Sequence, residues 1–344
     1  MDLRGSVGRG FQRRLGGPER AAVLVLLIGV VALIARPHAT PWVAPRAADG
    51  RADLSGLWEN ISATPLERPA QFANKPTLSD AEVKDLQARA ARLFAPDQDA
   101  AFGDGFYTAL LTDVNSGSRG AGTYSANWLP NRVIERRTSL ITDPPDGKLP
   151  PFTERYTQAR TAALAVRPRF VRGPEDMFVT DRCISYGIPD LFAAYMSVYR
   201  IMQSRDVVVI TMEKIHDTRI VPLDGRPHLS PKIRHYLGDS RGRWDGDTLV
   251  VETTNFHPNG NAMGGLFRLA DQNLKLTERF TRLGPDGLTY EFTVDDPTVW
   301  TRTWSAMVPW TRARGNIYEY ACHEGNYSLP HMLTAARADE RAAQ

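Results

Sequence analysis

The densest group of chemically capable side chains lies in residues 236–256. Asp239 and Arg241 precede an Asp-Gly pair at 245–246, and Glu252 follows it. Asp-Gly between two extended segments predicts a hairpin, because a type I′ turn needs positive φ at both central positions. Such a hairpin brings carboxylates and a guanidinium group onto neighbouring strands. The segment therefore predicts a polar site on a β-rich body.

A proton-transfer hypothesis for this site adds a histidine from another segment. Histidine is suited to general acid/base catalysis near neutral pH, because the ordinary pKa of an imidazole is about 6.5. The hypothesis makes His216 the acid/base group and gives it three orienting partners, Asp239, Arg241 and Glu252. On a strand, Glu213 and His216 would point to opposite faces. The alternative is that His216 is only a hydrogen-bonded residue at a strand end.

Three segments near the C-terminus alternate apolar and polar residues with period two: 274–280, 288–294 and 300–308. Alternation of this kind places one set of side chains on the inner face of a sheet. Glu278 and Arg302 fall on these inner faces, where a charge is tolerated only when it is paired or bound to a polar ligand. A structural Glu278–Arg302 pair and ligand recognition both stay open as explanations.

Polar and aromatic side chains on these faces and in the neighbouring motifs are predicted to bind a ligand: Glu213, His228, Trp244, Glu278, Arg302 and Trp304. No metal site is predicted, because no two histidines show the helical i, i+4 or strand i, i+2 spacing of a specific ligand set. No cofactor is predicted either, because the chain has no phosphate loop or dinucleotide fingerprint.

The composition is that of a globular protein, with 42% hydrophobic and 24% charged residues among 344. The formal net charge is +3, and the first twenty residues account for all of it, because their five arginines outnumber Asp2 and Glu19 by three. The rest of the chain is near neutral, so nucleic acid is not a predicted partner. The sequence names no protein partner.

An apolar run at 21–35 follows those arginines. Arginine-rich flanks stay in the cytoplasm, so the rest of the chain is expected outside it. Fifteen residues at 1.5 Å each span about 22 Å, which suits a short anchor or a signal-peptide core. An anchor is favoured because no small-x-small cleavage site follows. The predicted location is the bacterial inner membrane with the globular domain in the periplasm, or the periplasm itself if the segment is cleaved.

Two cysteines, Cys183 and Cys322, lie in polar, loop-like segments of this exported chain. In an oxidising compartment two thiols pair if the fold brings their Cα atoms within about 7 Å. The prediction is a disulfide, with two buried free thiols as the alternative.

The predicted organisation is a basic segment at 1–20, the apolar run, a Pro/Ala-rich linker at 36–52, one β-rich domain at 53–335 and a tail at 336–344. Ser79 and Glu82 form a capping box before a predicted helix at 81–94, and a second helix is predicted at 153–165. A strand is predicted at 132–142, and later strands at 194–203, 206–213, 218–223, 248–254, 273–282, 288–294, 299–308 and 317–320. Short connections favour an antiparallel meander that closes into a barrel-like body with a few covering helices and one N-terminal membrane helix.

Several motifs carry a resemblance. Gly56-Leu-Trp58 on the first strand is faintly similar to the Gly-x-Trp of lipocalin-like (calycin-like) barrels. A larger set resembles a family of exported bacterial proteins of unassigned function: DRC (181–183), DGRPH (224–228), GDSRGRW (238–244), GDTLVVETTNF (246–256), YEFTVDDP (290–297) and YEYACHEGN (318–326). The resemblance covers residues 53–335, and it implies no catalytic residues because none are established for that family.

The expected function is that of an exported, barrel-like protein whose aromatic-lined interior binds a small, largely apolar or aromatic molecule. If the protein is an enzyme, the expected reaction is a lyase or isomerase step that uses acid/base chemistry without a cofactor. The alternative is a non-catalytic accessory or structural subunit held at the membrane through the N-terminal helix. An interior cavity above about 300 Å³ with converging His and carboxylate groups would favour binding or catalysis, whereas a filled barrel with a flat, exposed apolar patch would favour the subunit.

Overall fold

The computed structural model describes residues 42–343 except 97, 102, 116–124, 129–131, 166–170, 192–195 and 259–271. The predicted membrane segment at 21–35 lies outside the described residues. Within the described ranges, no helix is both long enough and apolar enough to span a bilayer.

In the part of the chain that the structure describes, one antiparallel sheet of ten strands forms the body. The strands are β1 (Gly56–Asn60), β2 (Ile141–Asp143), β3 (Val198–Gln203), β4 (Val207–Met212), β5 (Thr218–Pro222), β6 (Asp239–Asp245), β7 (Thr248–Thr254), β8 (Lys275–Arg282), β9 (Gly287–Asp295) and β10 (Trp304–Arg312). Their order is β5-β4-β3-β1-β10-β9-β8-β7-β6, and β2 pairs with β10 beside this path. The prediction of a mainly β, barrel-like body is confirmed.

A seam lies where the two edge strands, β5 and β6, meet. Because neighbours on a nine-strand path are antiparallel, the first and last strands run in the same direction. β5 forms its backbone hydrogen bonds with β4, and β6 forms its own with β7. Gly242 permits the close approach, since a Cβ there would lie 2.6 Å from Leu223 Cδ2 and 2.8 Å from Val221 Cγ1. The barrel is therefore nearly closed, by packing at this seam.

Aromatic side chains fill the interior of the barrel. Trp310 stacks on Tyr199 with ring centroids 4.1 Å apart and on Tyr290 at 4.8 Å. Trp58 is fully buried, donates from Nε1 to the Leu54 carbonyl at 2.8 Å, and lies beneath the guanidinium of Arg312. An internal cavity of about 20 Å³ is left, room for about one water molecule.

The described residues include four α-helices: α1 (Asp80–Leu93), α2 (Asp104–Thr112), α3 (Glu154–Ala165) and α4 (Ser328–Ala342). Helices α1 and α2 share a hydrophobic cluster of their own. The capping box at α1 is confirmed, because Ser79 N–H donates to Glu82 Oε2 at 2.8 Å and Glu82 N–H donates to Ser79 Oγ. Helices α2 and α4 have no counterpart in the sequence prediction, and α4 runs through residues expected to form a tail.

Two predicted strands are wrong. Of residues 132–142, only the last belong to a strand, β2; earlier backbone groups bond to separate loops, with Val133 N–H donating to Ile61 and Leu78 N–H donating to Arg136. Residues 317–320 form no strand either. In both segments tertiary contacts outweigh β-propensity.

Candidate functional site

A cleft of about 510 Å³ opens at the seam, where β5 and β6 begin. Asp217, Arg219 and Ile220 line it from the β5 side, and Tyr236 and Asp239 line it from the β6 side. This volume lies in the range of small-molecule sites, about 300–1,000 Å³. The cleft is therefore large enough for a ligand, unlike the barrel interior.

Asp217 is a buried carboxyl group just before β5. Its Oδ2 accepts hydrogen bonds from Ser185 Oγ at 3.0 Å and from Tyr186 N–H at 2.6 Å. Burial raises the pKa of Asp217 above its ordinary value, because loss of hydration outweighs these hydrogen bonds. Asp217 is therefore the more readily protonated carboxyl group of the cleft.

Asp239, on the opposite wall, has a different environment. It accepts from Leu229 N–H at 2.9 Å and Arg241 Nη1 at 2.7 Å, and its Oδ2 lies 3.0 Å from His228 Nδ1. Burial alone would raise the pKa of Asp239, but these hydrogen bonds and the charge of Arg241 outweigh it and hold the pKa below its ordinary value. Asp239 is therefore held as a carboxylate.

A charged cluster extends from Asp239 over the outer face of the sheet. The His228 ring lies between two carboxylates, with Nδ1 facing Asp239 and Nε2 3.4 Å from Glu252 Oε1. Glu252 also pairs with Lys275 Nζ at 2.6 Å, and this hydrogen bond is the main reason why the pKa of Glu252 lies below its ordinary value. The structure thus brings together Asp239, Arg241 and Glu252, as the sequence grouped them, but around His228.

The same cluster fastens the segment that connects the two edge strands. This crossover, residues 223–238, folds over the outer face of β6 and β7. Arg241 Nε donates to the Pro227 carbonyl at 3.1 Å, and Asn255 Nδ2 donates to the Leu229 carbonyl at 3.0 Å. The position of His228 therefore depends on side chains from β6 and from the end of β7.

A buried ion pair forms the floor beneath the cleft. Arg219 Nη2 donates to Glu278 Oε1 at 2.9 Å, and Tyr290 OH donates to the same oxygen at 2.8 Å. Burial would lower the pKa of Arg219, but the charge of Glu278 raises it above its ordinary value. The expectation that Arg302 faces inward is wrong: β10 begins only at Trp304, so the alternation does not reach Arg302, which pairs with Asp143 at the surface.

A second buried pair lies across the small internal cavity. Lys214 Nζ contacts Asp190 Oδ2 at 2.6 Å, and Tyr199 OH donates to the same oxygen at 2.8 Å. Burial, and then the charge of Asp190, raise the pKa of Tyr199 well above its ordinary value. Sequence reasoning missed this pair. No local signal marks it, because Lys214 lies beyond the end of β4, and the consecutive residues Glu213, Lys214 and Ile215 are all buried.

Besides Arg302, four predicted site residues lie away from the cleft. His216 is exposed on the turn between β4 and β5. Trp304 is fully buried in the core, and Trp244 is half-buried on β6. Glu213 is buried, and its Oε1 accepts from Tyr318 N–H at 2.9 Å. In the described part of the chain, none of these four lines the cleft.

The predicted disulfide between Cys183 and Cys322 is confirmed, with Cα atoms 5.8 Å apart. Cys183 directly precedes Ile184 and Ser185, which line the cleft. The disulfide therefore ties one cleft wall to the C-terminal segment.

Among the residues with a described position, no three His, Cys, Asp or Glu side chains are arranged to hold a metal ion. The chemistry that the cleft offers from its own side chains is proton transfer between carboxyl groups, beside a buried guanidinium. No protein-family model matches the chain, and comparisons with curated proteins and with solved structures return no match either.

Proposed function

We propose that the protein binds a small molecule with a largely apolar or aromatic body in the seam cleft and performs cofactor-free acid/base chemistry on it. One observation carries this proposal: Asp217 and Asp239 line the same cleft, and their pKa values are displaced in opposite directions. Carboxyl groups separated in this way act as acid and base at one pH.

The roles follow from the two environments. Asp217 is the proton donor, and Asp239 is the ionised group that accepts a proton or stabilises positive charge. His228 positions the Asp239 carboxylate through its hydrogen bond, and the acid/base role that the sequence analysis gave to His216 passes to Asp217 and Asp239. Arg219 holds positive charge at the floor, where it stabilises negative charge that develops on the substrate. Removal of a proton at one atom and delivery at another is the chemistry of a lyase or an isomerase.

The proposed ligand fits the shape of the cleft. Ile220 on the rim is 65% exposed, and Leu237 and Tyr236 are part of the same lining. An apolar or aromatic body would cover these side chains, while a polar group points to Asp217. The expectation that the ligand binds in the barrel interior is wrong, because aromatic side chains leave a cavity of only about 20 Å³ there. The cleft is therefore the proposed site.

Filling the cleft tests this site. Ile220→Trp places a large ring in the opening, whereas Met202→Trp places one on the outer face of β3 and is the matched control. Ligand-observed NMR on the full chain in detergent would use small aromatic alcohols and ketones, such as phenethyl alcohol and benzylacetone. We expect wild type and Met202→Trp to bind alike and Ile220→Trp to bind about tenfold more weakly, a loss of about 1.4 kcal/mol. Equal binding by all three, or none by wild type, would contradict the proposal.

The proposal places this domain in the periplasm, with residues 21–35 as a membrane helix or a cleaved signal. The arginines before that segment support the orientation, and the disulfide suits an oxidising compartment. A lipocalin-like body is part of the same proposal, supported by the burial of Trp58 beneath Arg312. A reporter fused to the C-terminus that works only outside the cytoplasm should be active, and activity of a cytoplasm-only reporter would refute the orientation.

The second candidate is a non-catalytic accessory subunit held at the membrane. Two observations favour it: the barrel interior is filled apart from about 20 Å³, and the contacts of Asp239 also fasten the crossover to the sheet. If wild type binds no compound of the panel while Asp239→Asn lowers the melting temperature, the cluster is structural and this candidate moves ahead.

A further inference from the structure

A second groove, separate from the seam cleft, lies beside the end of β1. Its volume is about 340 Å³, and Glu59, Asn60, Met196, Glu213 and Tyr318 are among its lining residues. It shares no lining residue with the seam cleft. Any ligand here would therefore be recognised independently of the proposed acid/base site.

Asn60 supplies an unused hydrogen-bond donor. Its side chain is 1% exposed, and its Oδ1 accepts from Ser62 N–H at 3.1 Å, which fixes the orientation of the amide. Its Nδ2 has no hydrogen-bond partner among the residues whose positions are described. Buried donors are almost always paired, so this amide indicates an acceptor atom supplied from outside the chain.

Two carboxyl groups line the same groove. Glu213 is buried and accepts the backbone N–H of Tyr318. Neither Glu213 nor Glu59 takes part in an ion pair between described residues, and Arg314 is the charged group that acts on Glu59. Burial raises the pKa of Glu59, with Arg314 opposing. A buried carboxylate is stable when a cation or several donors compensate it, so the groove is suited to a cationic group.

An exposed aromatic side chain completes the lining. Tyr318 is 67% exposed and Met196 is 36% exposed, both at the groove. An aromatic ring next to carboxylates attracts organic ammonium groups through its π face. It also offers apolar contact area for the body of such a ligand.

We propose that this groove binds an α-amino carbonyl compound with an aromatic or apolar side chain. The ammonium group lies against Glu213 and Glu59, the carbonyl oxygen accepts from Asn60 Nδ2, and the side chain packs on Tyr318. Free amino-acid amides and the N-termini of peptides share this chemistry.

Calorimetry with the full chain in detergent tests the proposal, with a separate probe compound for each contact. Titrations at about pH 6.5 keep the α-amino group protonated, because its ordinary pKa is about 7.7. We expect phenylalaninamide to bind about tenfold more tightly than N-acetylphenylalaninamide, which lacks the charge, and several-fold more tightly than phenethylamine, which lacks the carbonyl oxygen. If Phe-Ala-Ala-amide binds at least as tightly as phenylalaninamide, the natural ligands are peptide N-termini. If it binds more weakly, the natural ligands are free amino-acid derivatives.

Two conservative variants separate ligand recognition from folding. Glu213→Gln keeps the acceptor for Tyr318 N–H but removes the charge. It should weaken the binding of phenylalaninamide about tenfold and leave the affinity for N-acetylphenylalaninamide unchanged. Asn60→Asp keeps the acceptor for Ser62 but removes the donor, and it should abolish the preference for phenylalaninamide over phenethylamine. Glu291→Gln, at an exposed position on β9, is the matched control.

Three results would overturn the proposal: no heat with phenylalaninamide, equal affinity for the N-acetyl compound, or affinities that neither variant changes. Ile220→Trp, which fills the seam cleft, should leave phenylalaninamide binding unchanged. Loss of binding in that variant would also overturn the proposal, because the probe would then occupy the other site.

Discussion

Arg219 on β5 and Glu278 on β8 form a buried ion pair across the seam of the barrel, with Nη2 2.9 Å from Oε1. The two edge strands share no backbone ladder. The pair therefore joins the two sides of the seam from the inside, where Tyr290 also donates to Glu278. The floor of the cleft and the closure of the barrel thus depend on the same two side chains.

Glu278→Leu should lower the free energy of unfolding by about 3–5 kcal/mol, because Arg219 is left buried without its counter-ion. The double variant Arg219→Leu/Glu278→Leu should recover most of that loss, since no uncompensated charge remains. Denaturant titration of the full chain measures both. A loss below about 1 kcal/mol in the single variant, or no recovery in the double variant, would show that the pair does not close the seam.

The stability of Asp217→Asn relative to wild type should be greater near neutral pH than at acid pH. The raised pKa of Asp217 means that the folded chain holds this proton more tightly than the unfolded chain. That contribution is complete below the unfolded pKa of about 3.9 and is lost as the pH rises through the folded pKa, at about 1.4 kcal/mol per pKa unit. The asparagine side chain of the variant does not titrate, and its amide oxygen still accepts from Ser185. If the stability of the variant relative to wild type were the same at about pH 4 and pH 7, the raised pKa of Asp217 would be contradicted.

His228→Gln should lower the free energy of unfolding by about 1–2 kcal/mol, because the crossover loses its hydrogen bond to Asp239 and its contact with Glu252. The pKa of Asp239 should rise at the same time. His216→Gln is the matched control, and its exposed position predicts a change within about 0.5 kcal/mol. Thermal melts and carboxyl NMR give the two readouts. If His216→Gln lost more unfolding free energy than His228→Gln, His216 would contribute more to stability than His228, and this account would be contradicted.

Opening the Cys183–Cys322 disulfide should lower the free energy of unfolding by about 2–5 kcal/mol, because the bond closes a long loop. Cys183→Ser/Cys322→Ser, compared with wild type with and without reductant, measures the effect. The reduced wild type and the double variant should agree. If the double variant were as stable as the oxidised wild type, the disulfide would have no stabilising role at the cleft wall.

The parts of the fold that depend on local sequence were predictable. The predicted hairpin between β6 and β7 is present, but Asp245 pairs with Thr248, so the loop residues are Gly246 and Asp247. Only Gly246 of these has a positive φ, so the type I′ turn predicted at 245–246 is wrong. The alternation around Glu278 correctly placed it inside the barrel. Arg302 shows the limit of this reasoning. Period two holds only within a strand, and the backbone leaves the strand before Trp304.

The site itself depended on contacts that the sequence does not encode locally. Arg219 meets Glu278 only because the barrel closes, and His228 meets Asp239 only because the crossover folds over β6. The order of β3, β1 and β10 in the sheet, which makes that closure, is not sequential. Asp239, Arg241 and Glu252 were predictable as a group because one hairpin carries all three.

The most direct test of the acid/base proposal is a carboxyl-carbon NMR titration of the full chain labelled at aspartate, with Asp217→Asn and Asp239→Asn used to assign the two signals. The account predicts that Asp217 titrates above the ordinary aspartate pKa of about 3.9 and that Asp239 titrates below it. Titration of both groups at the ordinary value, or in the reverse order, would contradict the assignment of acid and base in the cleft.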